Sequence, residues 1–207
     1  MQFESANPSV VRSIRQRDLL NTWLRALVKP RRLPRLADYQ PECIADELPD
    51  MMRFDVEGSG DGARYVITQE GATLTKVYGN EHIDPVRRTN RYLDDAIGPE
   101  RYARVVTLYR TCLACKRPTY SISMVQDPDG KDVRYERLLL PFGSADNVEQ
   151  IVGSYKTISI EGHFELSNLM GIRPRAVPKI ILRTIIDQDI VRSSTHIRAA
   201  EDIVDLD

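Results

Sequence analysis

Cysteine is scarce in this chain. There are three in 207 residues, an odd number, which excludes the disulfide scaffolds that staple small secreted domains. Long apolar runs are missing as well. Charged residues interrupt every hydrophobic stretch well short of the ~18 residues that a membrane span needs. Met1 to Ser9 lacks the basic start and apolar run of a secretory signal. Neither charge dominates: 29 Lys and Arg stand against 30 Asp and Glu, a net charge of −1. Proteins that coat nucleic acid carry a basic excess, so nucleic acid is not an expected partner. Internal repeats and low-complexity tracts are absent too. What is left, 42% hydrophobic and 29% charged, is the composition of a folded globular chain. The expectation is a cytoplasmic protein with no membrane span.

Apolar residues at spacings of three and four (Val10, Val11, Ile14, Leu20, Trp23, Leu24, Leu27, Val28) predict an amphipathic helix. It is entered through Asn7-Pro8-Ser9, with Ser9 as its cap, and ends near Pro30. A basic stretch, Lys29 to Arg35, follows, and Pro30, Pro34 and Pro41 lead into a short helix around Glu42 to Leu48. Met51 to Glu57 and Ala63 to Gln69 read as strands joined through Gly58-Ser59-Gly60-Asp61-Gly62. Gly71 to Tyr78 is a candidate short helix with Gly79 as its stop, and Asn80 to Gly98 is polar and irregular. Pro99 opens a longer helix that ends before Pro118. Thr119 to Gln126 and Lys131 to Leu140 flank the turn Asp127-Pro128-Asp129-Gly130, the clearest hairpin in the chain. A loop at Pro141 to Asn147 precedes a fifth strand, Gln150 to Ile160. Val177 to Ile190 fits either a helix or a strand, and the acidic end from Ala199 to Asp207 is expected to fray. This order gives an α+β domain built on one antiparallel sheet.

A sheet with one wet face alternates apolar and polar residues, and these strands do not. Val133, Tyr135 and Leu139 share one parity while Leu138 and Leu140 take the other; Met51 opposes Met52, Phe54 and Val56. Both faces therefore need cover. Helices between the second and third strands can supply one, and the Trp23 helix or a second subunit the other.

Several blocks together resemble a known family, the single-domain PAS proteins of alphaproteobacteria. They are Trp23, Arg32-Leu33-Pro34, Asp38, Pro41, Leu48-Pro49, Asp55-Val56-Glu57, Arg64-Tyr65 and Tyr135-Glu136-Arg137-Leu138-Leu139-Leu140-Pro141, and the resemblance runs from Leu19 to Tyr155. It implies a PAS-like fold: a five-stranded antiparallel sheet in the order 2-1-5-4-3 with helices on one face. To this the chain adds an N-terminal amphipathic helix and a C-terminal extension. The domain reading is residues 1–40 as that helix and a basic Pro-rich linker, 41–160 as the PAS-like domain, and 161–207 as an extension of unknown role.

Chemistry-bearing motifs are few. Cys112 and Cys115 form a Cys-x-x-Cys, but near a helix C-terminus, where the dipole opposes a thiolate, and Cys43 is isolated. Structural thiols are the better reading. His82, His163 and His196 form no ligand pair; the sequence predicts no metal site and identifies no cofactor. His82 is the one histidine near a PAS pocket helix, in a polar context that suits haem poorly, and no Asn-Cys-Arg-Phe-like string points to flavin photochemistry. Asp94-Asp95 and Asp187-x-Asp189 are carboxylate pairs of the kind usually solvated. Without a nucleophile elbow or phosphate loop, catalysis is not expected.

Arg64, Tyr65, Tyr135 and Arg137 are the candidate ligand-binding residues. Tyrosine offers a hydroxyl and arginine a planar fork for a carboxylate or phosphate; the competing reading is a cross-strand lattice of these arginines with Glu57 and Glu136. Leu20, Trp23, Leu24 and Leu27 are the candidate dimer or partner face of the first helix. The expected function is a non-catalytic PAS sensor or interaction module in bacterial signalling, homodimeric, binding a small molecule, a signalling protein, or both. The alternatives are a small α+β enzyme with a pocket between helix and sheet, and an anion- or nucleic-acid-binding adaptor using Arg12 to Arg35.

Overall fold

The computed structural model describes residues 3–27, 33–42, 44–74, 91–126, 132–144, 147–159 and 178–187. Lys29 to Arg32, Cys43, the three histidines, Asp189 and the Asp127 to Gly130 turn lie outside these, as does the second half of the candidate helix from Gly71 to Tyr78.

All five expected strands form, as β2 (Met51–Glu57), β3 (Arg64–Glu70), β5 (Thr119–Gln126), β6 (Asp132–Ser144) and β7 (Asn147–Ser159). Three more join them: β1 (Glu4–Ala6), β4 (Arg91–Tyr92) and β8 (Lys179–Ile186). Among the described residues the sheet has eight strands, not five, in the order β1-β8-β5-β6-β7-β2-β3-β4. Counted among themselves, the five expected strands run 2-1-5-4-3 through its middle. β1 and β4 are too short, at three and two residues, to show any period. β8 carries apolar residues on both parities, which left helix and strand unresolved; its pairing with β5, from Thr119–Ile185 to Met124–Lys179, settles the matter. β1 then pairs with β8 in parallel. The two segments that flank the expected PAS-like domain, residues 1–40 and 161–207, thus each supply a strand to the same sheet.

β6 also continues where a loop was expected. Pro141 and Phe142 stay in register with Ile151 and Gln150 of β7. Proline is tolerated there because β5 pairs no further than Leu139, so no second ladder is broken. The Pro141 carbonyl receives the indole N–H of Trp23 at 2.7 Å.

Helices lie on both faces of the sheet rather than one. α1 (Ile14–Arg25) starts at Ser13, whose side chain accepts the Gln16 N–H; Asn7 instead caps the 3-10 turn Pro8–Val10. α2 (Ile44–Glu47) and α3 (Leu93–Ile97) are short, and α4 (Pro99–Cys115) is the long one. α4 begins at Gly98, where a φ of 75° suits a residue without a Cβ, and stops at left-handed Lys116. Neighbours on β7 show the division of faces, because successive strand side chains point to opposite sides. Ser154 accepts Gln16 of α1 at 3.0 Å through its carbonyl and 3.3 Å through its hydroxyl, while the Tyr155 hydroxyl meets Tyr109 of α4 at 2.6 Å.

The α1 face is partly ionic. Lys156 lies 2.8 Å from fully buried Glu47 and 2.6 Å from Asp50, and Arg15 reaches Glu47 at 3.5 Å. Buried Glu136 accepts the Tyr120 hydroxyl at 2.7 Å, and that hydroxyl accepts the Arg12 backbone N–H at 3.2 Å. The α4 face is mainly aromatic: Phe54 and Tyr65 pack on Tyr109 with ring centroids 5.2 and 5.1 Å away.

Candidate functional site beneath α4

Two polar centres lie on the sheet face under α4, one towards β3 and one towards β8. At the first, Tyr65 is 1% exposed, held by its place in β3 against the ring of Tyr109. Its hydroxyl has no hydrogen-bond partner among the described residues. Burial raises its phenol above the ordinary value of 10.0, and neighbouring Tyr102 and Cys112 add to the effect. Burial likewise raises Tyr109, whose hydroxyl, unlike that of Tyr65, is satisfied by Tyr155.

The second centre follows from strand register. Ser121 of β5 stands between Arg137 of β6 and Arg183 of β8, each its direct cross-strand partner. Cross-strand partners share a face, so two guanidinium-bearing side chains flank one small residue on the α4 side. Two positions along, Ser123 is the cross-strand partner of Tyr135, so their side chains share this face. Arg183 donates to the Arg104 carbonyl of α4 at 3.4 Å. The Arg137 guanidinium stands 5.3 Å from the Tyr155 ring and that of Arg183 5.9 Å from Phe3. Burial raises the Tyr135 phenol, while the charges of Arg137, Arg104 and Arg183 act to lower it. Arg183 is itself lowered, first by burial and then by the like charge of Arg137.

Of the four candidate ligand residues, Tyr135 and Arg137 meet at this second centre and Tyr65 at the first. Arg64 joins neither. It neighbours Tyr65 on one strand and so points to the other side, where it pairs with Asp94 at 3.0 Å and Asp95 at 3.3 Å and covers the Tyr92 ring at 3.4 Å. β3 and β6 are also not adjacent, since β7 and β2 lie between them. Nor does the expected lattice form around Arg64: Glu57 accepts the Tyr92 hydroxyl at 2.7 Å, and Glu136 lies on the α1 face with Tyr120.

The sequence reading missed Ser121, Ser123, Arg104, Arg183 and Tyr109. The signal available was Ser-x-Ser on one parity of β5, opposite Tyr-x-Arg on β6, in a hairpin already evident from its turn. Arg183 had no signal, because nothing local places β8 beside β5.

The first helix faces its own chain. Leu20 is fully buried and Trp23 is 2% exposed, while Leu24 and Leu27 pack partly buried against the same core. Cys112 is buried, its sulfur 3.9 Å from the Leu139 carbonyl, and Cys115 is exposed. Burial raises both thiols, so neither is activated. Among the described residues, no three His, Cys, Asp or Glu side chains group as metal ligands, and no helix is long and apolar enough to cross a membrane.

The sequence matches no protein-family model and no curated protein. Among solved structures, an RNA-binding light-oxygen-voltage receptor is similar at 14% identity and a TM-score of 0.32, over 73% of this chain and 36% of that one. This chain thus corresponds to little more than a third of that receptor's length. A likeness of this size fixes neither fold nor function.

Proposed function

We propose that the chain is a PAS-type sensor or interaction module of the cytoplasm, without catalytic output. It binds a small molecule against the sheet beneath α4 and relays occupancy to a signalling partner. The strand order 2-1-5-4-3 in the middle of the sheet, with α4 across one face, supports the PAS reading.

The observation that carries ligand binding is the Tyr65 hydroxyl, buried at 1% exposure with no partner among the described residues. Leaving a buried hydroxyl unpaired costs about 1–3 kcal/mol, and a ligand acceptor placed there recovers that cost. Such a ligand acts only by binding two arrangements of the module unequally. Pairing of two copies through α1 would use its outward residues, such as Ile14 at 73% exposure, rather than Leu20 and Trp23.

A thermal-shift screen of small hydrogen-bonding compounds tests this reading. Compounds that raise the melting temperature of the wild type and not of Tyr65→Phe support it. A screen without stabilising compounds, or with equal shifts in both proteins, overturns it.

A further inference from the structure

The outward face of α1 is one-sided in charge. Arg15, Arg17 and Arg25 stand against Asp18, with exposed Arg12 just ahead of the helix. Arg15 pairs with Asp46 at 3.6 Å and Glu47 at 3.5 Å. The others find only neutral partners. Arg17 donates to the Val11 carbonyl at 3.2 Å and the Arg12 carbonyl at 3.3 Å, and Arg25 to the Thr22 hydroxyl at 3.1 Å. Among the described residues, no carboxylate comes within ion-pair distance of Arg12, Arg17 or Arg25.

The same face carries exposed apolar surface. Ile14 at 73% and Leu48 at 39% are the exposed large hydrophobic side chains among the described residues. They meet at one corner, because Arg15, beside Ile14, pairs with Asp46 and Glu47, just before Leu48. Helical spacing sets Arg25 on the same line as Ile14, about three turns further along. A complementary surface is therefore acidic, with apolar residues between its charges.

The chain holds such a segment itself. Outside the described residues, Ala199 to Asp207 carries four acids and no base, and Ile203, Val204 and Leu206 stand among them. Its attachment point is close to α1. The Asp187 N–H donates to the Ala6 carbonyl at 2.8 Å, so the chain beyond β8 departs beside the end of β1. From Ala6, only the Pro8–Val10 turn and the Ser13 cap intervene before α1. Between Asp187 and Glu201 an extended chain spans up to about 45 Å, against about 18 Å for the length of α1, so reach is not limiting. A single exposed ion pair contributes little, but a covalently attached segment meets the face at high effective concentration, and several weak contacts then suffice.

We propose that Glu201 to Asp207 docks on the outward face of α1 in its own chain, with its acids on Arg12, Arg17 and Arg25 and its apolar residues on the corner of Ile14 and Leu48. The contact covers the face that α1 would offer to a second copy or a signalling partner, and release of the segment uncovers it. This inference does not depend on Tyr65 or on a small molecule, so either reading can fail without the other.

Hydrogen exchange of the full chain, read by mass spectrometry, is the test. At low ionic strength the amides of 201–207 should exchange at least fivefold more slowly than in a synthetic peptide of the same sequence. Salt screens exposed charges, so about 0.5 M sodium chloride should remove most of that protection. Arg12→Glu combined with Arg25→Glu should also remove most of it, with an unchanged melting temperature. Adding Asp202→Lys and Asp207→Lys to that variant should restore it, which general damage to the fold would not do. Ile14→Ser should reduce it at least twofold. Exchange at the peptide rate in the wild type, protection that persists in the arginine variant, or a charge-swapped protein without protection would overturn the proposal. Protection that grows with protein concentration would overturn it as well, because the segment would then sit on another copy.

Discussion

Single side chains carry much of the chemistry beneath α4. The Tyr109 and Tyr155 hydroxyls meet at 2.6 Å in a buried setting, so removing one takes this bond from the other. Tyr109→Phe should lower unfolding stability by about 1–3 kcal/mol. The double variant with Tyr155→Phe should cost less than the sum of the single changes, as urea titrations of the three proteins will show. Cys112 and Cys115 make a second residue-level case. Burial raises both thiols, but Cys112 is enclosed and Cys115 exposed. Mass-spectrometric mapping after brief alkylation of the native chain at pH 7 should find slow labelling at Cys115 and none at Cys112. Labelling of Cys112 at an equal rate would refute that placement. At this scale the sequence showed which residue types were present but not which way they pointed. Arg64 and Tyr65 looked like a pair, and strand alternation sends them to opposite faces.

Elements were easier to read than their contacts. Five strands and the two main helices are visible in periodicity, turn residues and prolines, since these signals are local. Their partners are not local. The absence of strict alternation required cover on both faces, and α1 and α4 provide it. Lys156 could not have been singled out, because Glu47 and Asp50 reach it from more than a hundred positions away in sequence. These contacts hold the segment around α2 to the sheet. Lys156→Met leaves the fully buried Glu47 without its nearest cation, with Arg15 still 3.5 Å away, and should destabilise the fold by about 3–5 kcal/mol. Lys156→Met combined with Glu47→Gln should recover part of that loss in the same denaturant assay. The β6–β7 hairpin has a steric requirement of its own. A Cβ on Gly143 would stand 1.9 Å from the Asn147 carbonyl oxygen, and the Gly143 N–H already serves the Pro34 carbonyl. Gly143→Ala should therefore lower the melting temperature markedly, with an unchanged value counting against this register.

The whole molecule is tied together by its outermost strands. β8 covers the edge of β5, and β1 pairs with the end of β8, so distant parts of the sequence complete one sheet. No periodicity announces such closure, which is why five strands were expected and the described residues form eight. Alkaline pH tests the assembled core as one object. Tyr65, Tyr109, Tyr120 and Tyr135 are all raised, each chiefly by burial, from an ordinary value of 10.0. Their contribution is fully present below pH 10, where both folded and unfolded chains keep these protons. It is lost as pH rises through the folded values, because the unfolded chain ionises first. Stability should fall steadily above about pH 10, with part of the tyrosinate absorbance at 295 nm appearing only as the fold melts. A titration in which all nine tyrosines ionise together near 10 without unfolding would contradict their burial.

The central claim, that a small molecule occupies the face beneath α4, has a more direct test. Mass spectrometry of the purified full chain, first native and then denatured, reads occupancy whatever the chemical identity of the ligand. The account predicts a discrete excess mass in the native spectrum that disappears on denaturation and is diminished in Tyr65→Phe. A bare chain mass under both conditions, from material never exposed to stripping buffers, would contradict it.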